Sequence, residues 1–265
     1  VPAVMKELLD NNKLSNHAIT ITGKTIKENL EKSECKNKNV IYSFNKPIKE
    51  NAGFLVLRSN FFDSAIMKMS VVSEEFKNRY LTNKDKPMEF IVRAIVFDGP
   101  EHYHHEINNP KLNIDENCIL IIRGCGPVGY PGAAEVVNMQ PPDHLLKKGI
   151  SSLPCLGDGR QSGTSESPSI LNVSPEAAIG GKLSIIRNND QIKVDLLNKR
   201  VDVLIEEDEI NKRIKKNKFQ IPANQTPWQE ISREYVGQLA EGACLDLKEK
   251  YIDVARKKGI PRDNH

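Results

Sequence analysis

The stretch "LSIIRNNDQIKVDLLNKRVDVLI", residues 183 to 205, decides the fold class. Ile192, Val194 and Leu196 alternate with Lys193 and Asp195, so one face of this segment is apolar and the other polar. That period of two is the signature of a strand with one face on a core and one in water. Asn188–Asp190 ("NND") and Asn198–Lys199 ("NK") are turn-forming residues. Strands are therefore expected at 183–187, 191–196 and 200–205, joined as a meander.

Working outward, further runs rich in Val, Ile and Phe predict strands at 40–43 ("VIYS"), 53–58 ("GFLVLR"), 90–97 ("FIVRAIVF") and 118–123 ("CILIIR"). "EEDEINKRIKK" (206–216) and "WQEISREYVGQLA" (228–240) read as helices. The expected class is mixed α and β: a β-barrel-like mixed sheet with flanking helices. At the start, Val1, Val4, Met5, Leu8 and Leu9 mark one face of a helix with no capping residue before it. This is the pattern of a helix already under way, expected for the tail of a truncated domain. "AITITGKTIKENLE" (18–31) reads as an extended piece and a helix, and the polar run "EKSECKNKN" (31–39) as a boundary. The expected division is 1–39 and 40–265.

Composition narrows the function classes. Of 265 residues, 38% are hydrophobic and 28% charged, with a mean hydropathy of −0.47. No run approaches the ~18 apolar residues of a membrane span. The net charge of +3 spreads over 38 basic and 35 acidic residues, and runs such as "KRIKKNK" (212–218) read as solvated surface. No nucleic-acid-binding signature accompanies them. The five cysteines, Cys35, Cys118, Cys125, Cys155 and Cys244, are odd in number and lack CxxC spacing. They predict free thiols in a reducing, cytoplasmic setting.

Two loops carry the unusual chemistry. "RGCGPVGYPGAAEVVNM" (123–139) holds four glycines and two prolines just before and around Glu135. "LGDGRQSGTSESPS" (156–169) holds three glycines and five hydroxyl side chains. Neither matches a P-loop or an uninterrupted GxGxxG, and "GRQSG" is not the G-x-S-x-G elbow of hydrolases. From residue types alone, Ser162 is a serine on a solvated turn or a reactive hydroxyl, and Glu135 is a carboxylate heading a helix or a metal ligand. His102, His104 and His105 in "EHYHHEINNP" (101–110) form a polar loop, a surface cluster or a transition-metal site.

"IRGCGPVGYPGAAEVVNM", "LPCLGDGRQSGTSESPSILNVSPEAAIGGKLSIIRNNDQI" and "AGFLVLRSNFFDSAIMKMSVVS" resemble the carboxy-terminal half of the dihydroxy-acid dehydratase and phosphogluconate dehydratase family. The likeness runs to the terminal "GIPRDNH". Its wording is nearer the sugar-acid branch, the arabonate and xylonate dehydratases, than the branched-chain amino-acid enzyme, where phenylalanine commonly stands at the position of Gln161.

The resemblance implies a β-barrel-like domain preceded by the tail of an α/β domain. It further implies an iron–sulfur cluster, [2Fe–2S], and most ligands of a Mg2+ ion held by the amino-terminal half, with no cluster ligand among the five cysteines here. Residue by residue, Ser162 matches the family's base, Thr164 the neighbouring hydroxyl, Glu135 the one Mg2+ ligand of this half and His265 a substrate-binding histidine. Cys125 replaces a small apolar residue, and Glu166 adds a carboxylate near the serine loop. The implied reaction removes water from a sugar acid to give a 2-keto-3-deoxy acid, in a homo-oligomer. Two alternatives remain open: a 2,3-dihydroxy acid of branched-chain synthesis as substrate, and a non-catalytic β domain that binds a sugar acid or a partner subunit.

Overall fold

The computed structural model describes residues 1–50, 52–162, 168–247, 252–254, 256, 257 and 259. The chain divides into two compact units, residues 1–52 and residues 53–265.

Among its described residues the first unit carries two helices, α1 (Pro2–Asp10) and α2 (Ile26–Leu30). Val1 stands at the α1 N-cap without a side-chain hydrogen bond, as its apolar side chain requires. α2 starts at a capping box. The Thr25 hydroxyl accepts from the Glu28 amide at 3.2 Å, and the Glu28 carboxylate accepts from the Thr25 amide at 2.8 Å. The strand expected at 40–43 is a turn. Asn37 draws the chain round there: its carbonyl accepts from the Val40 and Ile41 amides, and its side chain from the Asn39 amide.

The second unit is built on one sheet of eight strands: β1 (Phe54–Leu57), β2 (Ser64–Lys68), β3 (Glu89–Asp98), β4 (Cys118–Arg123), β5 (Cys155–Gly157), β6 (Ser169–Ser174), β7 (Gln191–Asp195) and β8 (Arg200–Val203). Their spatial order is β1-β2-β6-β5-β4-β3-β7-β8. β3, β4, β5 and β6 run parallel to their neighbours in that series, and the outer pairings are antiparallel. The two sheet edges then meet. Just past β1, the Arg58 amide donates to the Lys199 carbonyl at 3.0 Å, and the Val201 amide donates to the Arg58 carbonyl at 2.9 Å. Asn60 extends this seam through two side-chain bonds to the Val203 backbone. The sheet is thus a nearly closed barrel, which leaves little unpaired edge.

Alternation along the strands sorts the core into two layers. Leu57, Met67, Ala94, Ile121, Leu156, Ile170, Val194 and Val203, one from each strand, belong to the barrel interior cluster. Phe97, Leu120, Ile122, Cys155 and Leu171 point the other way, into a second cluster with Val137, Met139, Leu145 and Leu153. Helices among the described residues beside the barrel include α3 (Glu74–Phe76), α4 (Pro100–Glu106), α5 (Asp143–Leu146), α6 (Glu207–Lys216) and α7 (Pro227–Tyr235). The expected strands at 53–58, 90–97, 118–123, 191–196 and 200–205 correspond to β1, β3, β4, β7 and β8.

The segment 183–187 departs from expectation: residues Lys182–Ile185 form a 3-10 turn. Leu183, Ser184, Ile185 and Ile186 are all buried in succession, which a one-face-wet strand forbids. The Ser184 and Ile186 carbonyls are taken at 2.7 Å each by the Arg123 guanidinium, not by a neighbouring strand.

Candidate active site

Two loops leave the ends of adjacent parallel strands and run together over the barrel's outer layer. β4 feeds residues 124–142, and β5 feeds the segment from Asp158. Backbone bonds fasten them side by side: the Arg160 amide donates to the Ala134 carbonyl at 2.8 Å, and the Val137 amide to the Arg160 carbonyl at 3.2 Å. The Asn172 amide, on β6, donates to Gly159 at 3.0 Å. Asn172 itself has φ +59°, where β6 shifts register against β2. The approach is so close that a Cβ on Gly159 would lie 2.9 Å from the Ala134 carbonyl oxygen. Glycine at 159 is therefore a packing requirement, not only a turn former.

This pairing puts Glu135 and Ser162 on neighbouring segments. Glu135 lies in the loop and heads no helix. Its carboxylate faces solvent, with the Arg160 guanidinium 3.9 Å away. Arg160 Nε donates to the Ala133 carbonyl at 2.6 Å, which orients the guanidinium over the glycine loop. Ser162 is half-buried, and Lys68 Nζ, at the end of β2, approaches the Ser162 carbonyl at 3.5 Å. Thr164, Glu166 and His265 lie outside the described residues.

Beneath the loops lie two buried carboxylates that sequence reasoning missed. Asp158 is fully buried and accepts three backbone amides, from Gly124 at 2.9 Å, Cys125 at 2.8 Å and Ala177 at 2.9 Å. Burial pushes its pKa up to about 6, making it a weaker acid, helped by the charge of Glu176 and opposed by the three amides. Glu176, 1% exposed, accepts from the Val128 and Gly129 amides at 2.9 Å each and from the Gln238 side chain at 2.8 Å. These amides face the protein's own anions, so they do not cradle a ligand phosphate. The one clue in sequence was an Asp directly after the apolar run Leu153–Gly157.

The cysteines near the loops are core thiols. Cys125 and Cys155 are buried, and burial raises the Cys125 thiol further out of the range where it would ionise. Cys118 is likewise pushed up to about 11, chiefly by burial. Among the described residues no three His, Cys, Asp or Glu side chains gather as a metal site. The histidine cluster stands on α4 instead of a loop. His102 Nδ1 accepts from the Asp98 amide at 2.9 Å, and His105 Nδ1 pairs with Glu106 at 2.7 Å. These two rings serve local capping and pairing. No helix among the described residues is long and apolar enough to cross a membrane.

Residues 39–243 match the dihydroxy-acid/6-phosphogluconate dehydratase C-terminal family. The chain belongs to that family. It is 55% identical over 264 residues to the D-xylonate dehydratase of Caulobacter vibrioides, covering all of this chain and 44% of that protein. Against the L-arabinonate dehydratase of Rhizobium leguminosarum bv. trifolii, identity is 33% over 266 residues, again all of this chain and 43% of the relative. A dihydroxy-acid dehydratase of Acetivibrio thermocellus is 36% identical over 257 residues, 94% of this chain and 42% of the relative. The chain thus spans less than half the length of these relatives. Its highest identity among the three is with a sugar-acid dehydratase, the branch to which the wording of its motifs is nearer.

Proposed function

We propose that this chain is the carboxy-terminal part of a longer hydro-lyase that converts a sugar (aldonic) acid to a 2-keto-3-deoxy acid, with Ser162 as the base. The observation that carries the reading is the side-by-side fastening of residues 134–137 and 159–160, which sets Ser162 and Glu135 in one layer with Lys68 and Arg160. Membership of the dehydratase family supplies the reaction class, and relatives named for D-xylonate and L-arabinonate supply the substrate class.

Dehydration of a 2,3-dihydroxy acid requires removal of a weakly acidic C2 proton while hydroxide departs from C3. A serine hydroxyl ionises reluctantly, and nearby positive charge favours its alkoxide; Lys68 Nζ lies 3.5 Å from the Ser162 carbonyl oxygen. A positioned general base is worth roughly 10²- to 10⁴-fold in rate. Lys68 and Arg160 also give the layer two cations, which complement an anionic acid substrate. Thr164 would share the proton, and His265 would contact the substrate.

Glu135 fits a Mg2+ ligand: it is a hard oxygen donor, solvent-facing, with its charge partner beyond hydrogen-bond distance at 3.9 Å. It offers one ligand only, so the remaining ligands would come from the amino-terminal half. When bound, Mg2+ supplies Lewis acidity for the developing enolate. The described cysteines do not fit an iron–sulfur cluster: among the described residues no three Cys, His, Asp or Glu side chains gather as a ligand set, and Cys118, Cys125 and Cys155 pack in the apolar core. A [2Fe–2S] cluster would belong to the amino-terminal half, and no step here passes through it. The five free thiols suit a reducing cytoplasm, and the family-like assembly is a homo-oligomer.

The test uses the complete polypeptide assayed with D-xylonate and L-arabinonate. Ser162→Ala should lower kcat by at least about 10²-fold with unchanged cluster absorbance; retention of full turnover would remove Ser162 as base. Glu135→Gln should raise the Mg2+ concentration needed for activity, and an unaltered Mg2+ dependence would take Glu135 out of the metal shell.

A further inference from the structure

The proposed reaction uses neither Asp158 nor Glu176, although both lie directly under the site. Four amides of one turn, those of Gly124, Cys125, Val128 and Gly129, point inward onto these two carboxylates. Buried amides without acceptors are costly, so this turn keeps its shape only while the anions sit beneath it. The fit is tight. A Cβ on Gly126 would overlap the Glu176 carboxylate.

Asp158 has a second connection that Glu176 lacks. It accepts the first two amides of the loop that continues to Glu135, and it is itself the first residue of the segment that continues to Ser162. Its third bond, from Ala177, ties in the segment after β6. One side chain therefore touches all three stretches that frame the site.

We propose that Asp158 is the positioning residue that holds the Glu135 loop and the Ser162 segment in common register, with Glu176 as the second support of the same turn. The role is indirect: Asp158 is fully buried and acts through backbone amides. This inference rests on the assignment of Ser162 and Glu135 above.

The experiment replaces Asp158 by Asn in the full-length, cofactor-loaded protein and reads amide hydrogen exchange and steady-state kinetics. The carboxamide keeps the shape but turns one acceptor into a donor facing donors. Exchange in peptides covering 124–129 and 158–162 should speed up at least about tenfold, while β3 and β7 keep their protection. The substrate KM should stay nearly constant as kcat falls by about 10²-fold, the cost of an ångström-scale misplacement. Unchanged exchange in 124–129 would overturn the proposal, as would faster exchange throughout the barrel, which would make Asp158 an ordinary core group. Faster local exchange with full kcat would overturn the positioning role. If the Asn variant does not fold, Gly126→Ala, which drives a methyl against Glu176, is read by the same measurements and criteria. Exchange is independent of chemistry, so a Ser162→Ala enzyme that keeps turnover would defeat the base assignment while the exchange data still judge the brace.

Discussion

The barrel and the loop layer outside it are held together by opposite means. In the barrel, residues from all eight strands meet in an apolar interior where Leu57, Ala94, Ile119, Ile121, Leu156, Ile192, Val194 and Val201 are at most 1% exposed. That cohesion is non-directional and scales with buried area, about 25 cal/mol per Å². The layer formed by 124–142 and 158–162 carries no helix or strand; Val137 and Met139 anchor it in the second apolar cluster, and its shape comes from aimed bonds: backbone to backbone, and amides onto Asp158 and Glu176. The difference assigns different tasks. Apolar packing tolerates small shifts, whereas hydrogen bonds fix position to a few tenths of an ångström, which is what a base and a metal ligand need.

A barrel substitution should therefore act on stability and leave the layer's local order intact. Ile121 is fully buried in the interior, so Ile121→Ala should cost about 2–5 kcal/mol through lost transfer energy and a cavity. Denaturant unfolding should show a lower midpoint, while exchange in 124–129 relative to β4 keeps its native ratio. If that ratio collapsed with the barrel, the two regions would be one cooperative unit and the contrast would fail.

The same contrast explains what was legible in the sequence. β3, β4, β7 and β8 follow from apolar runs and alternation because the barrel is built by burial, and hydropathy reports burial. β2, β5 and β6 escaped that reading: β5 is three residues long, and β6 carries Asn172 at a positive φ in a bulge. Residues 183–187 looked like a strand, yet Arg123 claims their carbonyls from 61 and 63 residues away, a tertiary effect no local pattern records. Ser162 and Glu135 were found through the wording of motifs, since a serine on a glycine loop looks the same whether reactive or inert. Asp158 and Glu176 were missed for a physical reason. Carboxylates are seldom fully buried without partners, and here the partners are backbone amides, which every residue but proline carries and no sequence advertises.

The smaller effect separates the two regions by pH. Asp158 titrates near 6 in the folded protein, against 3.8 for an ordinary Asp, because burial and then Glu176 outweigh the three amides. A folded value raised above the unfolded one means that the protonated group favours the folded state. Its contribution is fully present below about pH 3.8 and is lost as pH rises through about 6, a change of about 3 kcal/mol for this single group. Asn at 158 does not titrate. The stability difference between the wild type and Asp158→Asn should therefore move against the wild type between pH 4.5 and 7.5, most steeply below 6. Ile121→Ala removes no titratable group and should show a constant difference over the same range. Urea titrations at several pH values decide it: a flat Asp158 difference would mean that the amides fully compensate burial, and the layer would then be held as insensitively to pH as the barrel.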